Sequence, residues 1–194
     1  MKKTAYFLLL TLLIPHLAAC SGKTETVARL AETNEEAISY TDRAVDSDDI
    51  KRLLEVAAAT PCSRQVAPWQ FYTLQGPAIS KLKGIGTLGD GLRNATAAIM
   101  VCGVSSRFGE GDARALWQQD CAAAVQNIIL TARAMGLTPN VIHVYPMQQK
   151  VKAVKSAFDL DPAIVPFSVI ALGEAEETKV IPPVANQPKP ESLK

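Results

Sequence analysis

Four consecutive residues held between prolines, Cys62, Ser63, Arg64 and Gln65 in the stretch TPCSRQVAPWQFY, offer a thiol, a hydroxyl, a guanidinium and a carboxamide to whatever lies against them. A plain connection needs only turn residues at defined places. A donor-rich loop bounded by Pro61 and Pro68 can instead hydrogen-bond a polar ligand, while Pro68 and Trp69 read as packing that fixes the loop to the body of the protein. Chemistry that needs titrating side chains has little to work with. His16 falls in an N-terminal leader, so His143 is the one imidazole of the mature chain, which excludes a two-His metal site and a His-based proton relay. A Ser-His-Asp hydrolase would have to use His143, and no Gly-x-Ser-x-Gly elbow or phosphate-cradling Gly-Lys-Ser/Thr loop occurs. The glycine-rich GIGTLGDG has no strand leading into it and reads as a surface loop.

The four cysteines show no paired spacing of the zinc or redox type, so no metal site is expected. Cys102 in AAIMVCGV and Cys121 in DCAAAVQNIIL read as small buried hydrophobes, which leaves Cys62 as the loop thiol. Cys20 has a different setting. MKK is a positive start, AYFLLLTLLI is an apolar run too short for a lasting span, and LAAC supplies small residues for cleavage. LAAC also resembles the bacterial lipobox, which implies cleavage before Cys20 and lipidation of its thiol. Acyl chains at about 0.8 kcal/mol per buried methylene make such an anchor permanent. The expectation is therefore an exported lipoprotein, membrane-anchored on the periplasmic or cell-surface side. Its parts are a signal peptide at 1–19, a tether and the start of a first helix at 20–34, a single domain at 35–180 and a Pro-rich tail at 181–194. Twenty Lys and Arg against nineteen Asp and Glu leave a net charge of +1 and no field to attract nucleic acid, so a membrane is reached through the lipid only.

The elements that must position the loop follow from periodicity. Val27, Leu30 and Ala31, then Ala37 and Ile38, fall at helical spacing and predict a first helix. Ser47 ahead of Asp48 and Asp49 predicts a capped second helix, with Ile50, Leu53, Leu54, Ala57 and Ala58 on its buried face and Pro61 beyond its end. WQFYTL alternates as a strand, AISKLKGI is a short helix, and AAIMVCGV is apolar on both faces and so a central strand. Ala113 to Met135 is the longest helical signal, closed by Gly136. NVIHVYP is a short strand, MQQKVKAVKSAF an amphipathic helix, and PFSVIALG a last strand before the tail.

Three segments, DSDDIKRLLEVAAATPCSRQVAPWQF, QDCAAAVQNIILTARAMGL and PFSVIALGEA, resemble the FMN-dependent nitroreductase superfamily over about Thr41 to Lys179. Its members show Pro-Ser-x-x-Asn-x-Gln-Pro-Trp where this chain reads Pro61 to Trp69, with Cys62 in the serine place and Gln65 in the asparagine place. The resemblance implies an α+β fold, a three-layer α/β/α sandwich whose mixed, mostly antiparallel central sheet is flanked by helices, with a long central helix. It implies a homodimer with FMN at the interface, held by Cys62, Ser63, Arg64 and Gln65 of one subunit and by Pro139, Ile142, His143 and Val144 of the other. Lys179 matches a phosphate-binding basic position. The flavin carries the chemistry, so no catalytic side chain is expected. Asp120, Gln126 and Asn127 also match positions of the family, and on a buried helix they read as partners for neighbouring backbone groups.

One segment departs from the pattern. The family binds the FMN phosphate and ribityl chain through an Arg-Arg-Ser-x-Arg cluster, and the matching positions here are Asn34, Glu35, Glu36, Ala37 and Ile38. Each lost charge-assisted bond removes about 1.5–3 kcal/mol, and two carboxylates add repulsion. Arg29, Arg43, Arg93 and Lys179 are the available substitutes. Two functions stay open: hydride transfer from NAD(P)H through FMN to a nitroaromatic, quinone or similar small aromatic acceptor, or a degenerate, non-catalytic lipoprotein that binds a flavin or another ligand in the same fold.

Overall fold

The computed structural model describes residues 26–182 and residue 192, so the leader, Cys20 and most of the Pro-rich tail lie outside the described residues. The chain divides into two units, Met1–Thr33 and Asn34–Lys194. In the first, residues 26–32 are helical, and Thr33 closes the helix by donating its N–H and Oγ1–H to Arg29 O at 3.0 and 2.8 Å.

The second unit runs β1 (Glu35–Tyr40), α1 (Ser47–Ala58), β2 (Trp69–Gln75), α2 (Pro77–Lys83), β3 (Ala97–Val104), α3 (Leu116–Ala134), β4 (Asn140–His143), α4 (Gln148–Phe158), β5 (Ile164–Leu172) and β6 (Ala175–Val180). Four strands form one sheet in the order β2-β3-β5-β4, and β1 pairs with β6 in a separate two-stranded ribbon. Every pairing among the described strands is antiparallel. The result is the expected three-layer α+β arrangement. Alternate residues of β3 enter opposite cores: Ala98, Met100 and Cys102 join Leu82 of α2 and Val154 of α4, whereas Ile99 and Val101 join Leu53 of α1 and Ile128 of α3. All eight residues of β3 are buried, as a strand apolar on both faces requires.

Pro166 sits inside β5, where a missing N–H would break a regular ladder. The ladder is irregular there: Val101 pairs with Ser168 and Cys102 with Pro166, so Phe167 is the extra residue of a bulge. Burial pushes the Cys102 and Cys121 thiols up to about 12, with Cys121 adding to the effect at Cys102 and the Phe167 backbone bond opposing it. Both cysteines are fully buried, as small hydrophobes are.

Several local expectations are corrected. Ala37 and Ile38 lie in β1, not in a helix; the ribbon partner β6 fixes their extended backbone through a register of Glu36 against Lys179 and Ala37 against Thr178. β6 itself was not anticipated, because AEETKV is exposed at nearly every position and carries no alternation. The cap of α1 is Asp46 rather than Ser47, its Oδ1 accepting Asp48 N–H at 2.9 Å. α3 begins at Leu116 after a 3-10 turn at Gly111–Ala115, not at Ala113. It ends as the glycine predicts: Gly136, at φ +79°, donates to Arg133 O, and Leu137 reaches back to Ala132 O, which closes the last turn in a Schellman motif. GIGTLGDG is not a plain surface loop, since its 3-10 turns drop Leu88 into the core with Leu92 just beyond.

Candidate functional site

The loop from Thr60 to Pro68 joins α1 to β2 and is fastened at three places. Asp120 on α3, a buried carboxylate, accepts the Ser63 N–H at 2.9 Å and the Ser63 hydroxyl at 2.6 Å through the same Oδ1. Asn127, two turns further along α3, donates Nδ2–H to Thr60 Oγ1 at 2.8 Å. At the other side Arg107 donates to Ala67 O and Trp69 O at 3.5 and 3.4 Å, and Arg64 donates to Arg107 O at 3.4 Å. Pro68 O accepts the N–H of Val104, so the loop is also stitched to the end of β3. Pro68 and Trp69 are buried, with Trp69 stacked on Phe71 at 6.0 Å, as packing residues should be.

These bonds decide what the loop can offer. The Ser63 hydroxyl donates its hydrogen bond to Asp120, so toward a ligand its oxygen is an acceptor. Gln65 is exposed and held at φ +54°, a left-handed backbone that costs a side-chain-bearing residue about 1–2 kcal/mol. Such a conformation persists only where the surroundings enforce it. Arg64 is exposed, and Cys62 is half-buried against the α3 core. Beyond the loop, Phe108 stacks on Trp117 at 4.5 Å, with Tyr145 and Phe167 edge-on to Trp117 at 5.0 and 5.7 Å. Gly103 makes room for that stack: a Cβ there would stand 2.6 Å from the Trp117 ring.

The remaining predicted residues lie elsewhere. The loop feeds β2, one edge of the sheet, and β4 is the other edge. Two strands, β3 and β5, lie between them. Pro139 is buried, and Val144 is fully buried with its N–H donated to Phe167 O and its carbonyl accepting from Met147 N–H. Val144 thus positions the strand and has no free group for a ligand. Ile142, His143 and Lys179, by contrast, line one cleft of about 490 Å³ together with Glu36, Asp90, Arg93, Asn140 and Lys150. Asn140 Nδ2 ties its walls together by donating to Ala37 O and Gly91 O at 3.4 and 3.3 Å.

The charges of that cleft were only partly legible. Glu36 and Lys179, cross-strand partners in the ribbon, form an ion pair at 3.2 Å. Glu35 faces away: β1 alternates, and the Glu35 carboxylate acts on Arg133, opposing the drop that burial imposes on that guanidinium. Lys150 Nζ donates to His143 O at 3.4 Å. Arg107, the clasp of the loop, carried no sequence signal, since it sits in the polar connection SSRFGEGD like any solvated arginine. Arg43, offered as a substitute phosphate ligand, instead pairs with Glu174 at 3.2 Å.

The description "Nitroreductase family" matches residues 86–174. A protein of Archaeoglobus fulgidus named "Putative NADH dehydrogenase/NAD(P)H nitroreductase" is 34% identical over 143 residues, covering 72% of this chain and 80% of its own. A crystal structure from Parabacteroides distasonis bearing the same name superposes with a TM-score of 0.74 at 27% identity, covering 86% of this chain and 98% of that one. A nitroreductase structure from Desulfovibrio desulfuricans, solved in complex with FMN, gives a TM-score of 0.71 at 22% identity and covers 84% of this chain and 98% of that one, a likeness of fold.

Proposed function

Because the chain belongs to the nitroreductase family, we propose that it is a flavin-dependent oxidoreductase that takes hydride from NAD(P)H and reduces a nitroaromatic, a quinone or a similar small aromatic acceptor. The observation that carries this reading is the loop: Asp120 and Arg107 fix its backbone and leave Gln65 and Arg64 exposed beside the half-buried Cys62. A bound flavin supplies hydride acceptance and delivery, so the protein has to position rather than titrate. Gln65 can donate and accept through one carboxamide, Ser63 accepts, and Cys62 is a weak donor. The ring cluster of the buried Trp117 with the half-buried Phe108, Tyr145 and Phe167 stiffens the neighbouring end of the sheet.

A homodimer completes the site in this reading. What supports it is the separation of the loop and β4 at opposite edges of the sheet, so that Cys62–Gln65 of one subunit and Pro139–His143 of another can flank one ligand. The anchor belongs to the same proposal: Cys20 carries lipid and holds the domain at the periplasmic or cell-surface side. Among the described residues no helix is long and apolar enough to cross a membrane, so attachment in this reading falls to the lipid. A second reading, ligand binding without turnover, is favoured by one observation, the neutralisation of Lys179 by Glu36.

The visible spectrum of the purified protein tests both. A yellow preparation that oxidises NAD(P)H in the presence of a quinone or nitroaromatic supports the enzyme. A preparation that binds flavin but leaves NAD(P)H untouched supports the second reading, and one that takes up no flavin sinks the cofactor.

A further inference from the structure

One end of the cleft beside β4 is closed by an ion pair. Lys179 is held by Glu36, and the Glu36 side chain keeps 31% of its accessibility against 58% for Lys179, so the carboxylate is the more enclosed member of the pair. Asp90 adds a second carboxylate to the lining, and the Asn140 amide N–H groups point to Ala37 O and Gly91 O. Against these stand Arg93, exposed at the rim, and Lys150, whose ammonium sits on the carbonyl of His143.

A phosphate monoester brings a charge of about −1.5 to −2 and oxygens that act as acceptors. It can use Lys179 only by taking it from Glu36, which leaves that carboxylate uncompensated beside a second anion. A polyol differs. Each hydroxyl both donates and accepts, so a hydroxylated chain can donate to Glu36 and accept from Lys179 while the ion pair stays closed. The Glu36–Lys179 end of the cleft therefore fits the neutral, hydroxyl-bearing part of a flavin better than its phosphate.

Building on the flavin reading above, we infer that the Glu36–Lys179 pair makes this protein select a dephosphorylated flavin of the riboflavin type over the mononucleotide. Of the two neighbouring glutamates of β1 the selection falls to Glu36, because Glu35 does not line the cleft.

The test is a pair of fluorescence-quenching titrations, riboflavin and FMN, on the detergent-solubilised full chain and on its Glu36→Gln, Glu36→Arg and Glu35→Gln variants. Glu36→Gln preserves shape while removing the charge, so the comparison does not depend on Glu36→Arg folding. The wild type should bind riboflavin about tenfold more tightly than FMN. Glu36→Gln should erase that preference and Glu36→Arg reverse it, in each case read as the ratio of the two dissociation constants, and Glu35→Gln should behave as wild type. A wild type that favours FMN, or a riboflavin preference that survives in both Glu36 variants, overturns the inference while leaving the flavin reading intact. If neither flavin quenches with any variant, the flavin reading itself falls and this inference with it.

Discussion

The loop at Thr60–Pro68 and the ribbon of β1 and β6 both present polar side chains to a candidate ligand, but they are built from different physics. In the loop, a buried carboxylate on a long helix takes two bonds from Ser63, and an arginine grips two carbonyls from the other side. Geometry there is set by the core. In the ribbon, one ion pair between partly exposed side chains closes over a cleft. Surface pairs of that kind contribute about 0–1 kcal/mol and yield to a better partner. The contrast teaches that the chain has a preorganised end, fixed by its core, and an adjustable end, held by a single ion pair.

The sharpest way to break the contrast is at Asp120. Asp120→Ala removes the acceptor of both Ser63 bonds and should destabilise the protein by about 1.5–3 kcal/mol, as the loss of hydrogen bonds to a charged group does; chemical denaturation measures it, and a loss below about 1 kcal/mol would show that the loop is not core-held. Gln65→Ala should weaken flavin by about 1–3 kcal/mol without comparable loss of stability, a separation read by titration and thermal melting of the same sample. Gln65→Gly sharpens it further. Glycine accepts the left-handed backbone at position 65, so this variant should melt later, with a gain of up to about 1 kcal/mol, while binding flavin no better than Gln65→Ala. The smallest effect belongs to the ribbon: Lys179→Met should cost less than about 1 kcal/mol, and a larger loss in a melting curve would make the pair a structural clamp rather than an adjustable contact.

The same division governs what could be read before any coordinates. The strand β3 announces itself because its burial is written in its own apolar run, and the end of α3 because Gly136 supplies the left-handed residue that its last turn needs. The loop was legible from its prolines and its cluster of donors. The ribbon was not. Residues 35–40 are in phase with the preceding Val27, Leu30 and Ala31, and their strand backbone is imposed by β6, some 140 positions later in the chain. β6 has no inward face to reveal it, so the ion pair that neutralises Lys179 depends on a long-range register that local pattern cannot supply. Asp120 shows the intermediate case: a carboxylate among the apolar residues of α3 signals that something must satisfy it, and the fold identifies the partner as Ser63.

The arrangement of prolines around the sheet has a consequence for solubility. Its two outer strands are each bracketed, β2 by Pro68 and Pro77 and β4 by Pro139 and Pro146, whereas the inner strand β3 has none beside it and β5 is preceded by Pro162 and carries Pro166 at its bulge. An outer strand shows unpaired N–H and C=O groups that can recruit another chain, and a proline offers no N–H to extend such a ladder. β4 itself is four residues long, too few to template a stranger, so copies of the chain meet through side chains rather than by growing a common sheet.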